Sequence, residues 1–192
     1  MQHKAKSTDS VAGSVSQFKG FNEGARGGGT FHFKCFDKDG NLKWEDSAKN
    51  LVVNVGLQDM NTQYFKGSSY TAAWYIGLVD GPNSGNTYAA GDTLASHAGW
   101  TENTDYSGSN RITATFGTAT TADPSVIDNA GSVAVFSITG TATIAGAFLT
   151  VTQDRSTTTG LLFSVSAFTG GDRAVISGDT LNVTYEFSLA DA

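Results

Sequence analysis

Cys35, His32 and His97 have side chains that can bind a metal ion or form a nucleophilic pair. His32 and Cys35 are three positions apart in a segment that reads as a strand, and such positions face opposite sides of a sheet. They therefore cannot converge on a metal ion or form a thiolate–imidazole pair. A structural zinc site needs four ligands, and the chain has a single thiol. We expect Cys35 to be a small buried apolar side chain and His97 to have a packing or interface role in a loop.

Two carboxylates, Glu102 and Asp105, lie near aromatic residues, which is an arrangement that also occurs in sugar-cleaving sites. Nothing in this short loop sets the separation of two carboxylates that hydrolysis requires. Passive glycan binding is the better hypothesis for this region, and its candidate residues are Tyr88, Trp100 and Tyr106. The chain also lacks the Gly-x-Ser-x-Gly and His-Glu-x-x-His motifs. The sequence therefore predicts no catalytic residues and no cofactor, and we expect a protein that is not an enzyme.

The segment Asp37-x-Asp39-x-Asn41 resembles the beginning of a calcium-binding loop. Its glycine, Gly40, precedes the third ligand position, and Ala48 stands where the bidentate glutamate belongs. A hairpin turn explains the same residues, because glycine adopts positive φ without strain. We therefore expect no metal site.

The elements that would position these residues are mostly strands. Apolar and polar residues alternate before and after the turn at 37–41, which predicts a β-hairpin. Residues 50–65 form the one plausible helix, although Gly56 interrupts it; its apolar residues recur at intervals of three and four: Val53, Leu57, Met60 and Tyr64.

Beyond residue 70 the pattern is typical of successive short strands. We predict eight of them, near 72–79, 99–104, 110–117, 132–138, 142–151, 160–168, 173–177 and 180–189. The last has the clearest alternation, with Leu181, Val183 and Tyr185 on one face, followed on that face by Phe187 and Leu189. Gly-Asp-Thr-Leu occurs at 91–94 and at 178–181, and predicts a turn in which the aspartate accepts backbone N–H bonds. The predicted fold is all-β, a jelly-roll-like antiparallel β-sandwich with an N-terminal arm, a β-hairpin and one short helix.

Composition limits the possible partners. The net charge of −6 argues against general affinity for nucleic acid or for an anionic membrane. The single cysteine excludes an intrachain disulfide, and no apolar run approaches the ~20 residues that span a bilayer. Residues 1–29 are rich in Ser, Gly and Lys, so we predict a flexible, mildly basic arm. The predicted organisation is an arm at 1–29, a hairpin and helix forming an attachment region at 30–66, and a sandwich at 67–192.

Four short segments of the sequence resemble those of a known protein family: residues 50–57 (NLVVNVGL), 73–81 (AWYIGLVDG), 91–102 (GDTLASHAGWTE) and 173–181 (RAVISGDTL). Together they resemble a family of tailed-bacteriophage virion structural proteins, over a region from about Phe31 to the C-terminus. Within that family the chain is most similar to capsid decoration (cement) proteins. The resemblance implies a protein that is made in the bacterial cytoplasm and binds the outer surface of the virion.

This resemblance implies the major capsid protein as partner, and a homotrimer as the expected oligomer. The candidate partner contacts are the basic residues of the arm and one aromatic residue of the hairpin: Lys4, Lys6, Lys19, Arg26 and Trp44. Packing of Trp44 on its own sandwich is an equally good interpretation, and the sequence does not rank arm against hairpin as the anchor. The alternative function is a tail- or fibre-associated module that binds a host-surface glycan through the aromatic residues given above.

Overall fold

The computed structural model describes residues 24–67, 73–82 and 86–191. These residues contain one α-helix, α1 (Asn54–Asn61), which continues into a π-helical turn at Thr62–Lys66. A 3₁₀ turn lies at Ala130–Ser132. The same described ranges hold eleven strands: β1 (Ala25–Phe36), β2 (Leu42–Val52), β3 (Tyr75–Asp80), β4 (Glu102–Asn103), β5 (Ile112–Thr113), β6 (Ser125–Asp128), β7 (Ala134–Ser137), β8 (Ala142–Thr150), β9 (Leu162–Ala167), β10 (Arg173–Val175) and β11 (Thr180–Asp191).

The strands pair antiparallel in the order β4-β3-β8-β9-β2-β1-β11-β6. In addition, β5 pairs with β3, β7 with β11, and β10 with β8. Strand β2 joins the two layers, because residues 42–49 pair with β1 whereas residues 50–52 pair with β9. The sheet therefore curls into a half-barrel, and the predicted all-β antiparallel sandwich is confirmed.

The core lies between the two layers of this curled sheet. Phe33 of β1 is opposite Val183 of β11, and Cys35 is opposite Leu181; all four side chains are buried. The predicted inward face of the last strand is thus confirmed as far as Tyr185. Beyond it, Phe187 is half-buried and Leu189 is exposed, because the sandwich opens at that end.

The predicted hairpin lies within the sheet. Its strands β1 and β2 occupy the middle of the sheet, between β11 and β9, so the hairpin is part of the sandwich; the assignment of residues 30–66 as an attachment region stays a prediction. The last residues of the predicted arm form a strand, since Ala25 to Gly29 belong to β1 and pair with β11. A side chain at Gly27 would lie 3.1 Å from the Phe187 ring, so glycine here reflects a close approach between strands and not a linker.

The predicted helix begins too early. Residues 50–52 continue β2 because they pair with β9, and α1 starts only at Asn54. The apolar repeat in this segment marked a buried face only in part. Val53 is buried and Met60 half-buried, whereas Leu57 and Tyr64 are exposed.

All eight strands predicted after residue 70 are present, although β4 and β5 are shorter than expected. Strand β6 was not predicted, because its four residues follow Pro124 in a polar stretch. The predicted turns are confirmed. Asp37 Oδ1 accepts from the N–H groups of Asp39 and Asn41 at 2.9 Å each. Asp92 and Asp179 each accept a backbone N–H bond, from the residue three positions earlier.

Candidate functional site

The most exposed aromatic residues in the described part of the chain are Tyr64 and Phe65, on the π-helical turn after α1. Their side chains are 83% and 79% exposed. The two rings meet edge to face, with centroids 4.9 Å apart at an interplanar angle of 84°. Leu57, on the same helical segment, is also largely exposed. We call Leu57, Tyr64 and Phe65 the aromatic tip.

The segment that carries the aromatic tip is held firmly against β9. A Cβ at Gly56 would lie 2.4 Å from the Phe163 carbonyl oxygen, so only glycine allows the helix to pack this closely. Val53 is buried and donates its N–H to the same carbonyl at 3.1 Å. Asn54 donates its N–H to the Ala90 carbonyl at 2.7 Å. The helix that leads to the aromatic tip is therefore anchored on the sheet at its first turn.

The sequence predicted this segment as a short helix within the attachment region at 30–66, without singling out Phe65. Tyr64 was one of the apolar residues on which that helix prediction rested. Gly56 was treated as a weakness of the helix, whereas it is the point of contact with the sheet. The available signal was Phe65 itself, a large aromatic residue outside the three- and four-residue repeat that ends at Tyr64.

Trp44 packs on its own sandwich. Its ring is half-buried and lies edge-on to Phe168, with centroids 6.0 Å apart. Its indole Nε1–H donates to the Ala174 carbonyl oxygen at 3.2 Å. Of the basic candidates, Arg26 is exposed on β1, opposite Ala190. Lys4, Lys6 and Lys19 lie outside the described residues.

Trp100 does not present an exposed ring. It is 3% exposed, and His97 stacks on it with centroids 4.0 Å apart. Its Nε1–H donates to Asp92 Oδ2 at 3.0 Å. Tyr88 is half-buried, and this burial raises the pKa of its hydroxyl. The stacking on Trp100 explains the position of the His97 ring, and His97 Nδ1 lies 3.0 Å from the Trp100 carbonyl oxygen.

Tyr106 is buried as well and packs edge to face on Phe136, with centroids 4.8 Å apart. The Arg155 guanidinium lies over the Tyr106 ring, 4.7 Å from its centroid. Burial first, and then the charge of Glu102, raise the pKa of Tyr106. The fold therefore does not provide an exposed platform of Tyr88, Trp100 and Tyr106, because the rings of Trp100 and Tyr106 are buried in the core.

Glu102 is held by a buried arginine. Arg111 Nε and Nη2 donate to its two carboxylate oxygens at 2.9 and 2.8 Å. The Ser156 N–H donates to Oε2 at 2.8 Å, and Arg111 Nη1 donates to the Thr152 carbonyl at 2.9 Å. The side chains of Arg111 and Glu102 are 1% and 7% exposed, beside a cavity of about 270 Å³. Because its lone pairs are taken up by fixed donors, this carboxylate clamps two loops together and does not offer a free acid or base.

Cys35 is buried in the core, as predicted, and His32 lies on the opposite, exposed face of β1. The Cys35 sulfur is 3.9 Å from Asp179 Oδ2, and Asp179 also forms an ion pair with Lys43. Burial first, and then the charge of Asp179, raise the pKa of Cys35 to about 11. The thiol is thus protonated at neutral pH and is a poor nucleophile.

Comparisons with protein-family models, with curated proteins and with solved structures found no match to the chain. Within the described ranges, no group of three or more His, Cys, Asp or Glu side chains is placed to hold a metal ion. The part of the chain that the structure describes also has no helix with the length and apolarity needed to cross a bilayer. The aromatic tip is the candidate functional site that the geometry supports best.

Proposed function

We propose that this protein is a phage capsid decoration protein that binds the outer surface of the major capsid lattice and stabilises the head. The resemblance of four short sequence segments to tailed-phage virion proteins supports the assignment to a phage particle. The observation that carries the binding role is the aromatic tip, in which Tyr64 and Phe65 are 83% and 79% exposed after a helix that is anchored on the sheet. Exposed aromatic pairs of this kind are typical of protein interfaces.

The tip supplies enough apolar surface for a specific contact. Transfer of one large aromatic side chain from water into an interface stabilises a complex by roughly 2–3 kcal/mol before association costs. Two rings on one subunit give weak binding, but a homotrimer presents three tips to a symmetric lattice. Because the second and third contacts form within one assembly, avidity multiplies the affinity of each. Copies that bind only the assembled lattice then stabilise it by mass action.

The first experiment is to measure the copy number per purified particle relative to the major capsid protein. We expect hundreds of copies, near one for each capsid subunit. A handful of copies would instead place the protein at the tail or at a vertex, which would contradict decoration and favour the glycan-binding alternative.

The second experiment tests the contact itself, by adding purified protein to particles that lack it. Tyr64→Ser/Phe65→Ser should lose binding while its thermal melt is unchanged. Leu42→Ser/Ile176→Ser is the matched control, since both residues are 51% exposed. Leu42 is the first residue of β2, and α1 follows the end of this 11-residue strand. Leu42 therefore lies roughly 33 Å along the strand from the start of α1. Equal occupancy of the two variants would contradict the role of the tip.

A further inference from the structure

The curled sheet leaves an apolar groove along its open side. One wall comes from the β3 and β9 region, with Trp74 and Phe163; the other comes from β6 and β11, with Ile127 and Phe187. Phe116 lies at the rim and, with Trp74 and Ile127, lines an adjoining cavity of about 420 Å³. The inner part of the groove has a volume of about 110 Å³.

The large apolar side chains that line the groove are less buried than those of the core. Trp74, Phe116, Ile127 and Phe187 are all half-buried, although each packs on the core or lines the same cleft. Trp74 and Phe187 both contact the Phe163 ring edge-on, with centroids 5.2 and 5.7 Å away. A contiguous apolar strip of this kind in a folded chain calls for something to cover it.

Strand β1 enters the sandwich at this groove. Gly29 is opposite Phe187 in the register, and a Cβ at Gly27 would touch the Phe187 ring at 3.1 Å. Positions 27 and 29 share the inward face with the buried Phe31, yet both are glycine. The Phe187 ring takes the space of a side chain at position 27, and the Tyr185 hydroxyl, 2.5 Å from where a Cβ would lie, takes that at position 29. The chain that precedes β1 therefore starts next to the groove wall.

That preceding segment has its own apolar residues, and they lie within reach. Residues 1–23 are outside the described part, and their large apolar side chains after Met1 are Val11, Val15, Phe18 and Phe21. Phe21 is four residues before Ala25, so it reaches any point within about 13 Å of the start of β1; for Phe18 the limit is about 23 Å.

We propose that residues 11–21 of the chain lie in this groove, with Phe18 and Phe21 as the anchors that cover Trp74 and Phe116. The occupant is the same chain and not a second copy, because a segment tethered at Ala25 has an effective local concentration in the millimolar range. This inference does not depend on capsid binding, since it concerns how the fold completes its own core.

Amide exchange and quenching in the full-length protein test the proposal. Phe18→Asp/Phe21→Asp should give severalfold faster exchange at the Ala114 and Gly117 amides, which bond across the groove rim. Acrylamide quenching of tryptophan fluorescence should rise at the same time. The matched control, Ser16→Asp/Asn22→Asp, adds the same charge at polar positions and should behave as wild type. Identical exchange in the two double variants would overturn the proposal.

Cross-linking identifies the occupant. A thiol at Gln17→Cys should react through a short bismaleimide with one at Thr115→Cys, an exposed position on the groove, and yield a cross-linked monomer. The control pair is Gln17→Cys with Asn41→Cys, at the far end of the β1–β2 hairpin, which should not react. Cys35 is buried and does not compete. Cross-linked dimers alone would show that a second copy fills the groove, and no cross-link would show that residues 11–21 lie elsewhere; either result overturns the proposal.

Discussion

The buried ion pair between Arg111 and Glu102 is best tested by replacing one partner at a time. Arg111→Met keeps the length of the side chain but leaves the Glu102 carboxylate, 7% exposed, with the Ser156 N–H as its remaining donor among these contacts. Breaking a buried pair in this way costs about 3–5 kcal/mol of unfolding free energy. For a chain of this length that corresponds to a fall of roughly 6–20 °C in Tm.

The assay is urea unfolding followed by tryptophan fluorescence, with a double-mutant cycle. Lys34→Met is the matched control, because Lys34 and Glu45 form an exposed pair at 3.9 Å with side chains 60% and 63% exposed. That surface pair should contribute at most about 1 kcal/mol. Arg111→Met/Glu102→Leu should be more stable than Arg111→Met alone, since it removes the uncompensated buried charge. The reasoning is refuted if Arg111→Met and Lys34→Met lose similar stability, or if the second replacement restores none of the loss.

Three further predictions concern the core and its contacts. The free energy of unfolding should fall as the pH rises from 9.0, the ordinary pKa of a thiol, towards about 11, the raised pKa of Cys35, because the thiol ionises first in the unfolded chain. Urea unfolding at pH values below and above 9.0 should show a smaller fall for Cys35→Ala. Gly56→Val should lower the free energy of unfolding by about 1–3 kcal/mol because the new side chain meets the β9 backbone, whereas Gly28→Ala, with nothing within 4 Å, should be nearly neutral in the same denaturation assay. Val183→Asp should abolish soluble folding by burying an unpaired charge, while Thr184→Asp on the other face of β11 should leave a cooperative thermal melt; normal melting of the first would show that the assigned core face is wrong.

The fold class could be predicted from the sequence because strand periodicity is local. The alternation from Leu181 to Tyr185 is a property of consecutive residues, and it marked the buried face of β11 correctly. The hairpin turn could be predicted for the same reason, since Asp37 bonds to N–H groups only two and four residues away.

The organisation of the chain could not be predicted, because it depends on contacts between distant segments. Nothing near Gly27 indicates that Phe187 fills the space above it, so a strand was interpreted as part of an arm. In the same way, residues 50–52 have an apolar pattern that suits a helix or a strand, and only pairing with β9 decides it.

The burial of two candidate glycan-binding residues could not be predicted for a related reason. Trp100 and Tyr106 have polar neighbours in the sequence, which suggested exposed rings, but the fold brings His97 and Arg155 over them. An aromatic residue among polar neighbours is therefore ambiguous until the tertiary contacts are known. Tyr64 shows the converse, since it belongs to an apolar repeat and the fold leaves it exposed.

The path of β2 explains why the aromatic tip lies at one end of the sandwich. Because β2 pairs with β1 along its first part and with β9 along its last, both layers depend on it. The chain leaves β2 directly into α1, so the aromatic tip projects at the end where β1 also begins. A surface at the end of a sandwich can bind a lattice without disturbing the core, since its side chains contribute little to folding. This separation predicts that changes at the tip alter occupancy alone, whereas changes in the hairpin alter stability first.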